Sequence, residues 1–129
     1  MKTAIFSISI ISIFALSCKK DTVEEETFEG GITITNPTAN DTISGTQTIV
    51  TGSISGNMTL HGYHIVLYKT SDNSILAEKE VDNHSSSITL NDTLTYSVSQ
   101  VTPVRLHIES AYNHEGDMTT KDVNYVLQP

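Results

Sequence analysis

Histidine is the residue type in this chain with the most specific chemistry, and it occurs five times, at His61, His64, His84, His107 and His114. Neutral imidazole is a good ligand for zinc, copper and nickel, whereas calcium and magnesium prefer oxygen atoms. Three protein ligands at about 2.0–2.1 Å are enough to hold zinc. Three of the histidines lie between the apolar runs of the chain, so a fold that gathered these segments would produce a three-imidazole metal site: His61, His84 and His114.

Neighbouring residues extend this candidate site. Carboxylates beside the histidines offer oxygen ligands, at Asp82, Glu115 and Asp117. His64 is a candidate fourth nitrogen ligand, although in a regular strand its side chain and that of His61 would point to opposite faces. Gly62 lies between them and permits a β-bulge that would re-aim one imidazole. The predicted ligands of a copper or zinc ion are therefore His61, His64, His84 and His114.

His107 is excluded from this set of ligands. It lies seven residues before His114, which is roughly 23 Å along an extended strand. Its alternation with apolar residues predicts an outward-facing position beside Glu109. His64 would share that outer face and could pair with Glu109 instead of binding a metal. Because histidines in exposed loops are common, a chance grouping without a metal is the alternative interpretation.

The elements that must position these histidines are short strands. Thr, Ile, Val and Tyr dominate the chain after residue 29, with turn residues at short intervals and no helical periodicity. Seven strands are predicted, at residues 32–35, 47–54, 62–69, 75–81, 86–90, 104–112 and 120–127. Such spacing predicts an all-β, seven-stranded antiparallel β-sandwich. Because successive strands alternate in direction, the connections that hold His61, His84 and His114 should meet at one pole.

Residues 101–116, VTPVRLHIESAYNHEG, carry a resemblance to a known architecture. They resemble the E–F corner, strand F and F–G loop of fibronectin type III and bacterial immunoglobulin-like domains. The resemblance implies the sandwich and covers most of the chain after residue 29. It departs at Leu106, where a corner tyrosine is usual, and in the lack of a core tryptophan. An architecture of this kind does not by itself imply a function.

The first residues have the pattern of a targeting signal. Thirteen uncharged residues, 4–16, follow Lys2; they are too few to span a bilayer, which needs about 20, and are typical of a signal-peptide core. The string LSCKKD around the single cysteine, Cys18, resembles the signals of small Bacteroidota lipoproteins, although Ala15 stands where leucine is usual. This implies a signal peptide at 1–17 and a lipidated Cys18 on the outer membrane. A plain secretory signal is the alternative.

Charge and motifs narrow the function classes. Residues 18–29 are mostly charged, which predicts a disordered acidic tether before a domain at 30–129. The net charge of −8 argues against nucleic acid as a partner, because phosphates would not be neutralised. Neither a nucleotide loop, a nucleophile elbow nor an HExxH motif is present, so an enzyme is the class least favoured.

The leading interpretation is a membrane-anchored binding module that captures copper or zinc at the loop pole. The alternative is an adhesion or assembly module that binds an envelope protein or a glycan through the same loops without a metal.

Overall fold

Strands make up 72% of the residues that the computed structural model describes, 26–129, and no helix occurs among them. The six strands are β1 Gly30–Asn36, β2 Thr42–Ser44, β3 Gln47–Lys69, β4 Ile75–Thr95, β5 Thr102–Ala111 and β6 Met118–Gln128. The predicted all-β class is confirmed. The predicted signal peptide, Cys18 and most of the predicted tether lie outside the described residues. Within 26–129 there is accordingly no helix with the length and apolar character to cross a bilayer.

The strands form one continuous sheet in the order β1-β3-β5-β6-β2, and β4 runs antiparallel to β3 along its length. The first half of β3 pairs with β1 and with the second half of β4. The second half pairs with β5 and with the first half of β4. The described residues thus hold six strands rather than the predicted seven, because β3 and β4 each span two predicted strands. The short β2, parallel to β6, was not predicted.

One apolar core joins the two halves of the bent hairpin formed by β3 and β4. Inner-face residues of the first half, such as Ile54 and Leu90, belong to the same buried cluster as Ile65 and Leu67 of the second half. Val104, Leu106 and Ile108 of β5 complete it and are fully buried, alternating with more exposed residues as expected for a sheet with one wet face. The sheet therefore curls around its own side chains.

A carboxylate is buried inside this core. Asp92 is 5% exposed. One of its oxygens accepts a hydrogen bond from the Tyr63 hydroxyl at 2.7 Å, and the other lies 2.6 Å from Lys79 Nζ. Burial, and then the hydrogen bond to Asp92, raise the pKa of Tyr63 well above its usual value, so this hydroxyl remains a donor. Because Lys79 and Asp92 lie on opposite halves of β4, their ion pair ties together the two parts of the curled sheet.

Residues at the end of the predicted tether contact the domain. The ring of Phe28 stacks on Tyr112 at a centroid distance of 4.1 Å, with the planes 8° apart. The Asn57 side chain donates to the Thr27 carbonyl at 3.0 Å and accepts from the Glu29 amide at 2.8 Å. Residues 27–29 therefore pack on the domain that begins with β1. The apolar ring of Phe28 can pack against Tyr112, whereas the charged side chains around Phe28 favour solvent.

Candidate histidine site

Two of the predicted ligands face each other across the β3–β4 hairpin. His61 and His84 are direct cross-strand partners, and their ring centroids are 5.1 Å apart in an edge-to-face arrangement. The sequence placed both residues in loops, but the structure places both within strands, just beyond the register shift that follows Ser55. Their approach therefore comes from strand pairing. Directly opposite residues of an antiparallel pair have Cβ atoms about 4.5–5.5 Å apart, so their side chains meet on one face.

A β-bulge at Gly62 sets the direction of His61. The register of the β3–β4 ladder shifts between His61 and Tyr63, and Gly62 has a φ of 89°. The predicted bulge at this glycine is confirmed. A Cβ on Gly62 would lie 2.2 Å from the Val81 carbonyl oxygen, so only glycine fits here. The buried hydroxyl of Ser110 donates to the Gly62 carbonyl at 2.6 Å and holds the bulge against β5.

The third histidine is presented by the β5–β6 connection. The His114 and His61 ring centroids are 4.4 Å apart, with the planes tilted by 48°. The connection is shaped by Asn113, whose side-chain oxygen accepts from the amides of Glu115 and Asp117 at 3.1 and 3.0 Å. This Asx-type turn holds the loop through side-chain-to-backbone hydrogen bonds. Asn113 was not singled out from the sequence, although an asparagine before a short loop with Gly116 is a recognisable turn signal.

His61 lies close to two other imidazoles, those of His84 and His114. Two imidazoles on a tetrahedral zinc, with nitrogen bonds of about 2.0–2.1 Å, would have ring centroids about 5 Å apart. The observed separations of 5.1 and 4.4 Å bracket this value. In the described residues, 26–129, no group of three or more His, Cys, Asp or Glu side chains is arranged so that it could hold a metal ion. Rotation of the rings about χ2, which has a broad energy well in histidine, would have to aim the nitrogens at one point.

The predicted oxygen ligands, Asp82, Glu115 and Asp117, differ in whether their carboxylates already have hydrogen-bond partners in the loop. Asp82 Oδ1 lies 3.4 Å from His84 Nδ1, and both side chains are well exposed. Asp117 instead accepts a hydrogen bond from the Asn113 amide group at 2.9 Å, so it belongs to the loop framework. Glu115 is exposed on the same loop. Asp82 is therefore the carboxylate best placed to support the imidazoles.

The remaining two histidines lie on the outer face of the sheet. His64 faces Glu78 and Glu109, with nitrogen–oxygen distances of 3.5 and 3.4 Å. His107 lies 2.7 Å from Asp122 and 3.5 Å from Glu109. The alternating row of carboxylates and imidazoles crosses four strands. The predicted pairing of His64 with Glu109 and the predicted outward position of His107 are confirmed.

Two grooves are lined in part by histidines of the predicted site. One has a volume of about 350 Å³ and is lined by His61, His64, Asp82 and Met118, among others. The other has a volume of about 700 Å³ and is lined by His114, Met58, Phe28 and Tyr112, among others. We call this region, defined by His61, His84 and His114 with the two grooves beside them, the histidine pole. Its rings are accessible from solvent, since His61 is half-buried and the other two are exposed.

Comparison with known proteins adds no further assignment. No family model matches the chain. No curated protein matches it either.

Proposed function

We propose that this protein is a lipid-anchored envelope protein that binds a transition metal at the histidine pole. The observation that supports this most directly is the contact of His61 with the imidazoles of His84 and His114, which belong to two other segments, at ring-centroid distances of 5.1 and 4.4 Å. Imidazole nitrogen selects copper and zinc over calcium and magnesium. The protein would act by binding the metal, and no catalytic role is proposed.

The scaffold proposed for this site is a fibronectin type III or immunoglobulin-like sandwich. The all-β content and the single core shared by both halves of the β3–β4 hairpin are compatible with two packed layers. In that arrangement β1 with the first half of β3 and the second half of β4 would form one layer. The second half of β3, the first half of β4, β5, β6 and β2 would form the other. The bend at residues 56–59, where the hairpin passes between the layers, would then lie at the histidine pole.

Metal binding predicts a thermal shift that depends on selected histidines. A ligand that binds only the folded state at 100 times its Kd stabilises it by about 2.7 kcal/mol. In a domain of this size that corresponds to a rise in Tm on the order of 10 °C. We expect zinc or copper, titrated into the lipid-free mature chain at pH 7.5, to raise Tm in this way. His114→Ala should remove most of the rise in Tm. The same measurement on His64→Ala shows whether the predicted fourth ligand contributes to it.

His107→Ala is the matched control for this titration, because His107 lies on the same sheet but faces Asp122 and Glu109. It should preserve the full shift. If neither metal changes the Tm of the unaltered protein, or if His107→Ala abolishes the shift as fully as His114→Ala, the metal proposal is wrong. Binding of an envelope protein or glycan through the same pole would then take its place.

The proposed anchor predicts a specific covalent modification. Cys18 should become the first residue of the mature protein and carry acyl chains, because the uncharged core of the signal ends at the only cysteine. Two or more acyl chains are needed for stable membrane attachment. Mass spectrometry of the membrane fraction should find an acylated peptide beginning at Cys18, and Cys18→Ser should release the protein from the membrane. A soluble mature protein with a different first residue would contradict the anchor.

A further inference from the structure

Sulfur is distributed unevenly in this protein. The mature chain proposed above, residues 18–129, contains two methionines, Met58 and Met118, and the cysteine that would carry the lipid. Both methionines line the grooves of the histidine pole. Met118 shares one groove with His61, and Met58 shares the other with His114. Each methionine therefore shares a groove with one imidazole of the histidine pole.

Neither methionine serves the apolar core. Met118 is 50% exposed at the start of β6, directly after the connection that carries His114. Met58 is partly exposed within residues 56–59, between the β3–β4 pairs at Ser55 and Leu60, and is not part of the core cluster. Methionine has three rotatable side-chain bonds and a polarisable sulfur, so it can swing toward a ligand from a position of this kind.

We infer that the ion held at the histidine pole is copper, and that Met58 and Met118 provide soft thioether ligands that favour Cu(I). This inference rests on the proposed metal-binding function and specifies its ligand. Thioether sulfur selects Cu(I), whereas imidazole alone suits zinc and copper alike. A set of three imidazoles with one or two thioethers therefore discriminates between two metals that the histidines by themselves do not separate.

The inference is tested on the lipidated protein in detergent, with Cu(I) kept reduced by ascorbate under anaerobic conditions and bicinchoninate as the competing chelator. We expect Met58→Leu/Met118→Leu to weaken Cu(I) binding at least tenfold and to change the Zn(II) affinity by less than twofold. Leucine has nearly the same volume as methionine, so the fold should be preserved. His107→Ala should leave both affinities unchanged, because its ring faces carboxylates of the outer sheet face.

X-ray absorption at the copper edge gives an independent readout. The Cu(I)-loaded protein should show sulfur in the first coordination shell, and this sulfur should disappear in the double variant, which retains the sulfur of Cys18. Unchanged Cu(I) affinity in the double variant, or a sulfur shell that persists in it, overturns the inference. If zinc binding that depends on His114 survives in that case, the proposed metal-binding function stands. If the unaltered protein binds neither metal, the proposed function fails and the copper inference fails with it.

Discussion

Gly62→Ala should destabilise the domain by more than any other methyl-sized change at the histidine pole. The left-handed φ of 89° costs an alanine about 1–2 kcal/mol. The new Cβ would also lie 2.2 Å from the Val81 carbonyl oxygen, which belongs to the paired backbone of β4 and cannot move without breaking the ladder. We expect a total loss of about 3 kcal/mol or more, measured by chemical unfolding, since such clashes add to backbone strain.

Gly45→Ala is the matched control for this prediction. Gly45 also has a left-handed φ, of 100°, but a Cβ there would meet nothing within 4 Å. It should show only the conformational cost of about 1–2 kcal/mol. The difference in unfolding free energy between Gly62→Ala and Gly45→Ala measures the cost of the overlap with the Val81 carbonyl oxygen. Equal losses in the two variants would show that the bulge can relax, and that the direction of His61 does not depend on glycine.

Asp92→Ala should cost about 3 kcal/mol, near the lower end of the range for breaking a buried ion pair. The change leaves the Tyr63 hydroxyl without its acceptor in the core, while Lys79, whose side chain is 44% exposed, can turn toward water. Asp92→Asn should cost less, because the amide oxygen can still accept from Tyr63. Urea unfolding of the three proteins would give this order of stabilities.

Asp122→Ala provides the comparison for Asp92. Asp122 Oδ1 lies 2.7 Å from His107 Nδ1, and Asp122 Oδ2 lies 3.9 Å from Arg105 Nη1. The Asp122 side chain, however, is 48% exposed. Exposed ion pairs contribute about 0–1 kcal/mol. If Asp122→Ala destabilised the protein as much as Asp92→Ala, the burial of Asp92 could not be the cause of its effect.

The sequence predicted the strands but misplaced where they end. Gly56 and Asn57 have the composition of a turn, and they separate two predicted strands. In the structure the chain runs on through them as one strand, β3. A Cβ at Gly56 would lie 2.3 Å from the Phe28 ring, and the Asn57 side chain binds residues 27 and 29. Gly56 and Asn57 therefore accommodate residues 27–29, which are distant in sequence. Local composition cannot distinguish this role from that of a turn.

His61 lies close to both His84 and His114 in the structure, but not through the arrangement that the sequence predicted. The prediction relied on loops meeting at one end of a sandwich. The structure brings two of these histidines together by strand pairing, with a bulge that the position of Gly62 did indicate. The burial of Asp92 was also accessible from the sequence, since it continues the inward alternation of Ile88, Leu90 and Leu94. The partners of Asp92 were not accessible, because Tyr63 and Lys79 are distant in sequence.

The docking of Phe28 on Tyr112 limits how far the histidine pole can lie from a lipid on Cys18. The chain leaves the domain beside the connection that carries His114. Cys18 lies ten positions before Phe28, and an extended chain of ten such steps reaches at most about 35 Å. With lipid on Cys18, the imidazoles would be confined to a thin layer above the bilayer. Exchange of an ion with another anchored protein would then be a two-dimensional search, in which short tethers raise the local concentration of each partner.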